Sequence, residues 1–297
     1  MGDDTRTLID GLSYLECPRW HEGRIWFSDF YTYAVYSAAA DGSDQRLEVE
    51  VPQQPSGLGW LPDGRLLVVS MRDSTILRQE PDGSLSVHAD LSPYVSGHPN
   101  DMVVDRSGRA YVGEFGFDLM AGAPVEPARL LCVEPDGSVS VAAEEMLFPN
   151  GSVIIDDATL LVDETFGNRI TAFDIAADGT LTNRRTWAEF GLAPTERDLE
   201  KALAELVVAP DGCALDAEGA LWVADALGNR VLRVLEGGTI DRTVEPGSGV
   251  FACMLGGDDG RTLFLCSAPD FQEEARKAAR EARLLAVEVD VPHAGLP

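Results

Sequence analysis

Residues 149–164 read PNGSVIIDDATLLVDE, in which a Pro-Asn-Gly turn, an apolar run, an Asp-Asp turn and a second apolar run follow one another. Short apolar runs bounded by turn-forming residues predict two antiparallel strands joined by a tight turn. Unrelated turns would not keep one register over many copies, so we interpret recurrences of this arrangement as a repeated unit. Five other segments carry it: LECPRWHEGRIWFSD (15–29), PSGLGWLPDGRLLVVS (55–70), PNDMVVDRSGRAYVGE (99–114), PDGCALDAEGALWVAD (210–225) and VFACMLGGDDGRTLFLCS (250–267).

Each copy continues with a third strand-like stretch, a turn and a fourth stretch, as in ARLLCVEPDGSVSVAA (128–143). Four short strands in a unit of about 40 to 50 residues are typical of a propeller blade. The sequence therefore predicts an all-β protein, a six-bladed β-propeller that forms a single domain over residues 1–297. A β-sandwich is the alternative. The last unit shows only three strands, so we expect TRTLIDGL (5–12) to supply the missing outer strand.

The composition indicates which partners to expect. The chain has 50 acidic and 23 basic residues and a net charge of −27, which repels nucleic acid and anionic membrane surfaces. The first ten residues lack the apolar core of a signal peptide, and no run approaches the roughly 18 apolar residues that span a bilayer. We therefore expect a cytoplasmic protein. The five cysteines form no CxxC pair and are expected to be reduced and buried.

The first strand of each blade lines the central channel of a propeller, so one register position per copy should face the axis. We call the residues at this position the anchors. Converging carboxylates need a cation or a proton between them, and ligand sets made only of oxygen favour a hard divalent ion. We expect one bound ion, Ca²⁺ first and Zn²⁺, Mn²⁺ or Mg²⁺ as alternatives, held by Glu16, Asn100, Asn150 and Asp211. Side chains that only cap turns are the other interpretation. The six anchors are Glu16, Ser56, Asn100, Asn150, Asp211 and Phe251.

Four short motifs place these anchors in a known context, namely ECPRW around Glu16, PNDM around Asn100, PNGS around Asn150 and PDGCALD around Asp211. With these motifs in order, the chain resembles the senescence marker protein/gluconolactonase (regucalcin-like) family over essentially its whole length. The resemblance implies a six-bladed propeller that hydrolyses a lactone or an activated ester at a divalent metal. His98 departs from the pattern, because members that hydrolyse sugar lactones tend to carry an Arg at this position. This puts a sugar substrate in doubt.

Hydrolysis at such a centre needs a base for the attacking water, which a bound metal can activate while it polarises the carbonyl. Asp211, His98 and Glu114 are the candidates. We expect a small-molecule lactone or ester as partner. The alternatives are a non-enzymatic propeller that binds calcium or another ligand, a phosphotriesterase-like hydrolase, and a metal-free enzyme of the strictosidine synthase type. The predicted substrate contacts are His98, Asn100, Phe115, Phe117, Phe166, Met71, Tyr31 and Phe271.

The loops on the same face contain two insertions with helical patterns. The spacing of Leu199, Leu203 and Leu206 predicts a short helix that begins near Thr195, and DFQEEARKAAREARLL (270–285) predicts another. Either insertion could cover the site or form a protein contact. Acidic residues that end the second strands are expected on this face, namely Asp29, Glu114, Glu164 and Asp225.

Overall fold

The repeated units form six four-stranded antiparallel sheets, the blades of a β-propeller, in a computed structural model that describes residues 5–297. The first three blades contain β2 (Leu15–His21), β3 (Arg24–Asp29), β4 (Ala34–Ala38) and β5 (Arg46–Glu50); β6 (Pro55–Trp60), β7 (Leu66–Ser70), β8 (Thr75–Gln79) and β9 (Leu85–Asp90); and β10 (Pro99–Val104), β11 (Ala110–Glu114), β12 (Ala128–Val133) and β13 (Val139–Met146).

The other three blades follow the same order, and the last one joins the two ends of the chain. They contain β14 (Pro149–Ile155), β15 (Thr159–Glu164), β16 (Arg169–Ile175) and β17 (Leu181–Glu189); β18 (Pro210–Leu215), β19 (Leu221–Asp225), β20 (Arg230–Val234) and β21 (Ile240–Val244); and β22 (Gly249–Gly256), β23 (Thr262–Ala268), β24 (Ala282–Glu288) and β1 (Arg6–Leu12). Strand β1 pairs antiparallel with β24, with Arg6 opposite Ala286. This confirms that the N-terminal segment supplies the outer strand of the last blade.

The six first strands pack side by side around the axis. Strands β2, β6, β10, β14, β18 and β22 each contact the next one, and β22 contacts β2, so the ring is closed. The pairing of every first strand shifts register at or beside its anchor, for example between Pro99 and Met102 and between Pro149 and Ser152. A bulge re-aims the side chain that it contains. The repeated Pro-Asn therefore marks a bulge that turns the anchor away from its own sheet.

Close packing at the axis explains the glycines that follow several anchors. A Cβ added at Gly151 would lie 2.3 Å from the backbone oxygen of Asp211, and one at Gly212 would lie 2.4 Å from the Cβ of Ala252. Neither approach leaves room for a side chain, so each glycine lets one first strand contact its neighbour. All five cysteines are free and buried, as predicted.

The two insertions contain short helices, α1 (Leu199–Ala204) and α2 (Glu273–Ala279). Helix α1 begins at Leu199 and not near Thr195, because the Asp198 carboxylate accepts from the N–H of Lys201 at 3.2 Å and caps the helix there. Helix α2 ends at Ala279, where Arg280 takes a left-handed conformation and the chain enters β24. Over residues 5–297, neither helix has the length and apolar character that a membrane crossing requires.

Candidate metal centre and substrate cavity

Four anchors from four different blades converge on the floor of one cavity. Glu16, Asn100, Asn150 and Asp211 all line it, and each is at most 7% exposed. A fifth anchor, Phe251, also lines the cavity, where its ring centroid lies 4.9 Å from that of Tyr14; the sixth, Ser56, donates to Asn100. The bulges on the first strands bring these side chains together from positions as far apart in sequence as Glu16 and Asp211.

A directional chain of hydrogen bonds orients the two carboxamides. Ser56 Oγ donates to Asn100 Oδ1 at 2.7 Å, and Asn100 Nδ2 donates to Asn150 Oδ1 at 3.1 Å. Asn150 Nδ2 then donates to Thr165 Oγ1 at 3.1 Å, and Thr165 donates to the backbone oxygen of Pro210 at 2.8 Å. Each amide oxygen accepts one hydrogen bond in this chain and keeps a lone pair free. The contacts thus hold two oxygens ready for a ligand beside the carboxylates.

The electrostatics of the centre favour a cation. Burial, and next the charge of Asp101, raise the pKa of Glu16 from 4.5 to about 8. Burial, and next the charge of Glu16, raise the pKa of Asp211 well above its ordinary value. Both shifts have the same origin, since carboxylates removed from water lie near one another without a positive group that compensates both. A proton or a divalent ion would relieve this repulsion.

The residues present fit a hard divalent ion. Asp211 Oδ1 is buried and has no hydrogen-bond partner among residues 5–297, and an unpaired buried carboxylate oxygen is costly unless a ligand binds it. Two carboxylates and two amide oxygens form the donor set that Ca²⁺ accepts with an irregular shell. The described residues contain no group of three or more His, Cys, Asp or Glu placed to hold a metal, so a site here would depend on Asn100 and Asn150.

The cavity above the four anchors has a volume of about 800 Å³. The residues that line it recur at fixed positions of the repeat. The residues two positions before the first five anchors line the cavity, and so do the residues that directly follow the second strands of the first five blades. Tyr14, Gln54 and Phe148 share the first of these positions with His98 but were not predicted as cavity residues. The same register would have identified them, together with Thr165 at the second position.

His98 lies on the cavity wall, and its ring is held by the neighbouring blade. Its Nδ1 atom is 3.1 Å from the backbone oxygen of Met71. A carbonyl oxygen only accepts, so Nδ1 carries the hydrogen, and the Nε2 atom of the neutral ring is left as an acceptor. Nε2 makes no hydrogen bond to any residue within 5–297. A residue that lines the cavity thus keeps, in its neutral form, a proton acceptor without a partner among residues 5–297.

Glu114 was predicted as a candidate base near the metal, but it does not line the cavity. Its Oε2 atom accepts from the N–H groups of Ser96, Gly97 and Gly116 at 2.8 to 3.0 Å, and its Oε1 atom accepts from the N–H of Arg129 at 3.0 Å. These four contacts use the carboxylate to hold the loop that leads to His98. The geometry assigns Glu114 to the support of that loop and away from the reacting atoms.

The other acidic residues that end the second strands hold their loops in the same way. Asp29 accepts from the N–H of Tyr14 at 2.9 Å, and Asp225 accepts from the N–H of Ala209 at 3.0 Å. Glu164 accepts from the N–H of Leu147 at 2.8 Å. All are buried and none lines the cavity. In four blades, the repeated acidic residue thus holds the backbone that leads into the first strand, and it does not line the pocket.

Most of the predicted substrate contacts reach the cavity. Phe117 does not line it, but its ring packs edge-on at 5.5 Å against Phe166, which does. A buried ion pair that was not predicted from the sequence joins Arg19 to Asp101, with Nη2 and Oδ1 2.5 Å apart. The predicted contacts that line the cavity are His98, Asn100, Phe115, Phe166, Met71, Tyr31 and Phe271.

One known protein family matches most of this chain. A sequence model described as the SMP-30/Gluconolactonase/LRE-like region matches residues 15–269, a range that includes all six anchors. The chain belongs to this family. The family assignment agrees with the resemblance inferred from the motifs around Glu16, Asn100, Asn150 and Asp211.

Individual relatives support the assignment at moderate identity. The chain is 32% identical to regucalcin of Xenopus laevis, with 87% of this chain and 84% of that protein covered. It is 30% identical to regucalcin of Danio rerio, where the match covers 62% of this chain and 59% of the relative. It is also 26% identical to 6-deoxy-6-sulfogluconolactonase of Pseudomonas putida over 100% of this chain and 99% of that protein.

Solved structures share the fold of this SMP-30/gluconolactonase/LRE-like protein. A regucalcin from Agrobacterium tumefaciens, described as a calcium-binding protein, superposes with a TM-score of 0.78 at 19% identity, covering 100% of this chain and 97% of that one. A luciferin-regenerating enzyme gives a TM-score of 0.79 at 18% identity, with 99% and 98% covered. At these identities, the likeness concerns the fold alone.

Proposed function

We propose that this protein is a metal-dependent hydrolase that opens a lactone or an activated ester, with Ca²⁺ as the preferred ion. The proposal rests mainly on one observation: two buried carboxylates and two oriented carboxamides meet on the floor of a large cavity, and Asp211 Oδ1 there has no hydrogen-bond partner in the described part of the chain. Relatives named gluconolactonase and sulfogluconolactonase support lactones as the substrate class.

Glu16, Asn100, Asn150 and Asp211 would hold the ion, which supplies Lewis-acid stabilisation of the oxyanion that forms at the substrate carbonyl. His98 Nε2 takes a proton from the attacking water, while Met71 keeps the ring in the required tautomer. Asp211 is the second candidate for this base. Water adds to the acyl carbon and the acyl C–O bond breaks. The proton then passes to the leaving oxygen, so a lactone yields one hydroxy acid without any co-reactant.

A panel of lactones, aryl esters and fluorophosphates, assayed with and without a chelator, tests the proposal. We expect turnover of at least one lactone or ester, loss of that turnover in chelator and recovery on addition of Ca²⁺. Turnover that is indifferent to chelation would overturn the metal dependence. Preferential turnover of fluorophosphates would favour a phosphotriesterase-like enzyme.

A non-enzymatic calcium-binding propeller is a second candidate, because structural relatives include a regucalcin described as a calcium-binding protein. It predicts tight Ca²⁺ binding by calorimetry without turnover of any compound in the panel. Such a protein has no need for the proton acceptor that His98 presents to the cavity.

A further inference from the structure

The walls of the cavity are apolar well beyond the four anchors. Helix α1 contributes Leu199 and Leu203, and Leu206 follows directly after its C-cap; all three are half-buried and line the cavity. Met120 and Leu227 line the same space and are 48% and 46% exposed. Single exposed apolar side chains are ordinary, but a cluster around one opening marks a binding surface.

The charged groups of the wall are satisfied by one another. Arg72 donates to both carboxylate oxygens of Glu273 at 2.8 Å, and its Nε donates to Gln54 Oε1 at 2.9 Å. Lys277 also donates to Glu273, and the amide of Gln54 donates to the sulfur of Met71. A ligand hydroxyl would have to compete with these contacts or share the lone pairs and hydrogens that they leave.

The hydroxyl groups of the wall are committed in the same way. Tyr31 donates to the backbone oxygen of Phe271 at 2.7 Å, and Tyr14 donates to Glu16 at 3.3 Å. Thr165 accepts from Asn150 and donates to the backbone oxygen of Pro210, so its only hydroxyl hydrogen is used. Apart from the anchors, His98 Nε2 and the side-chain amide of Gln272 are polar groups of the wall without a hydrogen-bond partner among residues 5–297. A polyhydroxylated ring would lose its contacts with water, and each unpaired hydroxyl would weaken binding about 5- to 150-fold.

We propose that the substrate is a lactone or ester with a large apolar substituent, an alkyl chain in the first place, and not a sugar lactone. This inference rests on the proposed hydrolytic function and specifies its substrate class. The reacting carbonyl lies over the four anchors, and the substituent packs against the leucines of α1 and against Met120. Each methylene removed from water in such a cavity strengthens binding about fourfold.

A series of γ-lactones with n-alkyl substituents from methyl to octyl, compared with glucono-1,5-lactone, tests the inference. We expect kcat/KM to rise about two- to fourfold for each added methylene until the cavity is filled. Glucono-1,5-lactone should be at least about 100-fold poorer than the octyl compound. A flat series, or a preference for the sugar lactone, would overturn the inference while leaving the hydrolytic function intact.

The matching alkyl lactams, which resist hydrolysis, separate the two proposals. Calorimetric binding of the lactams that strengthens with chain length, without turnover of any ester or lactone, would refute the hydrolase and retain the apolar site. Absence of lactam binding together with absence of chain-length dependence in turnover would refute the site itself.

Variants locate the apolar group within the cavity. Leu203→Asn should reduce the preference for the octyl over the methyl lactone about tenfold, because a polar amide replaces part of the apolar wall. Met120→Ser should also reduce this preference. Because Met120 is exposed, the substitution should not unfold the protein, so a changed preference would reflect the cavity wall. The control is Leu192→Asn, since Leu192 is 85% exposed near α1 and does not line the cavity. Unchanged preference in both test variants would contradict the assignment.

Discussion

His98 Nδ1 and the backbone oxygen of Met71 are 3.1 Å apart, and this contact ties the third blade to the second. The contact places the ring hydrogen of the neutral imidazole on Nδ1. The other ring nitrogen, Nε2, makes no hydrogen bond within residues 5–297. The position that departs from the sugar-lactonase pattern is thus structurally prepared to accept a proton.

If His98 is the base, His98→Asn should lower kcat about 10²- to 10⁴-fold and change KM much less. The Asn amide can still donate to Met71, so the variant removes the proton acceptor while retaining the anchoring contact. His98→Arg should also lose turnover on every substrate, because a guanidinium cannot accept a proton. Steady-state kinetics between about pH 5 and 9 check this, and a wild-type kcat with a wild-type pH profile in His98→Asn would leave Asp211 as the base.

Metal binding should depend on both Glu16 and Asp211, because each carboxylate supplies half of the compensating charge. Glu16→Gln and Asp211→Asn should each weaken Ca²⁺ binding by more than the roughly 10- to 100-fold that an outer contact contributes. Calorimetry measures the affinities. Glu50→Gln on the exposed end of β5 is the control and should bind as the wild type does. Equal affinity in all three variants would show that the ion, if bound, lies elsewhere.

Removal of the ion should lower thermal stability by linkage, because Ca²⁺ would join four blades of the folded state. We expect Tm in excess Ca²⁺ to exceed Tm in chelator by several degrees, and the difference to grow with the concentration of free Ca²⁺. Differential scanning calorimetry provides the comparison. A Tm that is indifferent to chelator at every concentration would argue against a native ion at this centre.

The raised pKa of Glu16 predicts a pH dependence in the metal-free protein. A carboxyl group whose pKa rises from 4.5 to about 8 on folding contributes stability that is complete below 4.5 and is lost as the pH rises through about 8. Glu16→Gln removes this loss. In excess chelator, the Tm of the variant minus that of the wild type should therefore increase between about pH 5 and 8. A constant difference would mean that Glu16 titrates normally in the fold.

Glu114→Gln should damage stability and not the proton transfer. The amide nitrogen would replace one of the two carboxylate oxygens and would face the N–H of either Arg129 or Gly97, which should cost roughly 1–3 kcal/mol of unfolding free energy. The remaining activity below the lowered Tm should keep the wild-type pH profile. His98→Asn is the matched contrast, since it should alter the profile and leave Tm almost unchanged. Loss of the acidic limb of the profile in Glu114→Gln, where a general base becomes protonated, would restore Glu114 as a candidate base.

Much of the architecture was predictable from the sequence because a propeller repeats a local unit. Alternating strands and turn residues recur with each blade, so one register position identified all six anchors, of which Glu16, Asn100, Asn150 and Asp211 line the cavity floor. The same local rule predicted that the N-terminal segment would complete the last blade, as its pairing with β24 confirms. Strand period and turn chemistry are properties of a few adjacent residues.

The roles of individual polar groups depended on the tertiary structure. Glu114 looks like a pocket residue in the repeat, but four backbone N–H groups from other segments take up its carboxylate. The tautomer of His98 follows from a carbonyl in another blade, and the order of hydrogen bonds from Ser56 to Thr165 crosses three blades. Sequence alone determined which side chains face the axis, whereas the direction of each hydrogen bond and the free oxygen of Asp211 were decided by neighbours distant in the chain, because hydrogen-bond saturation and burial are properties of the packed assembly.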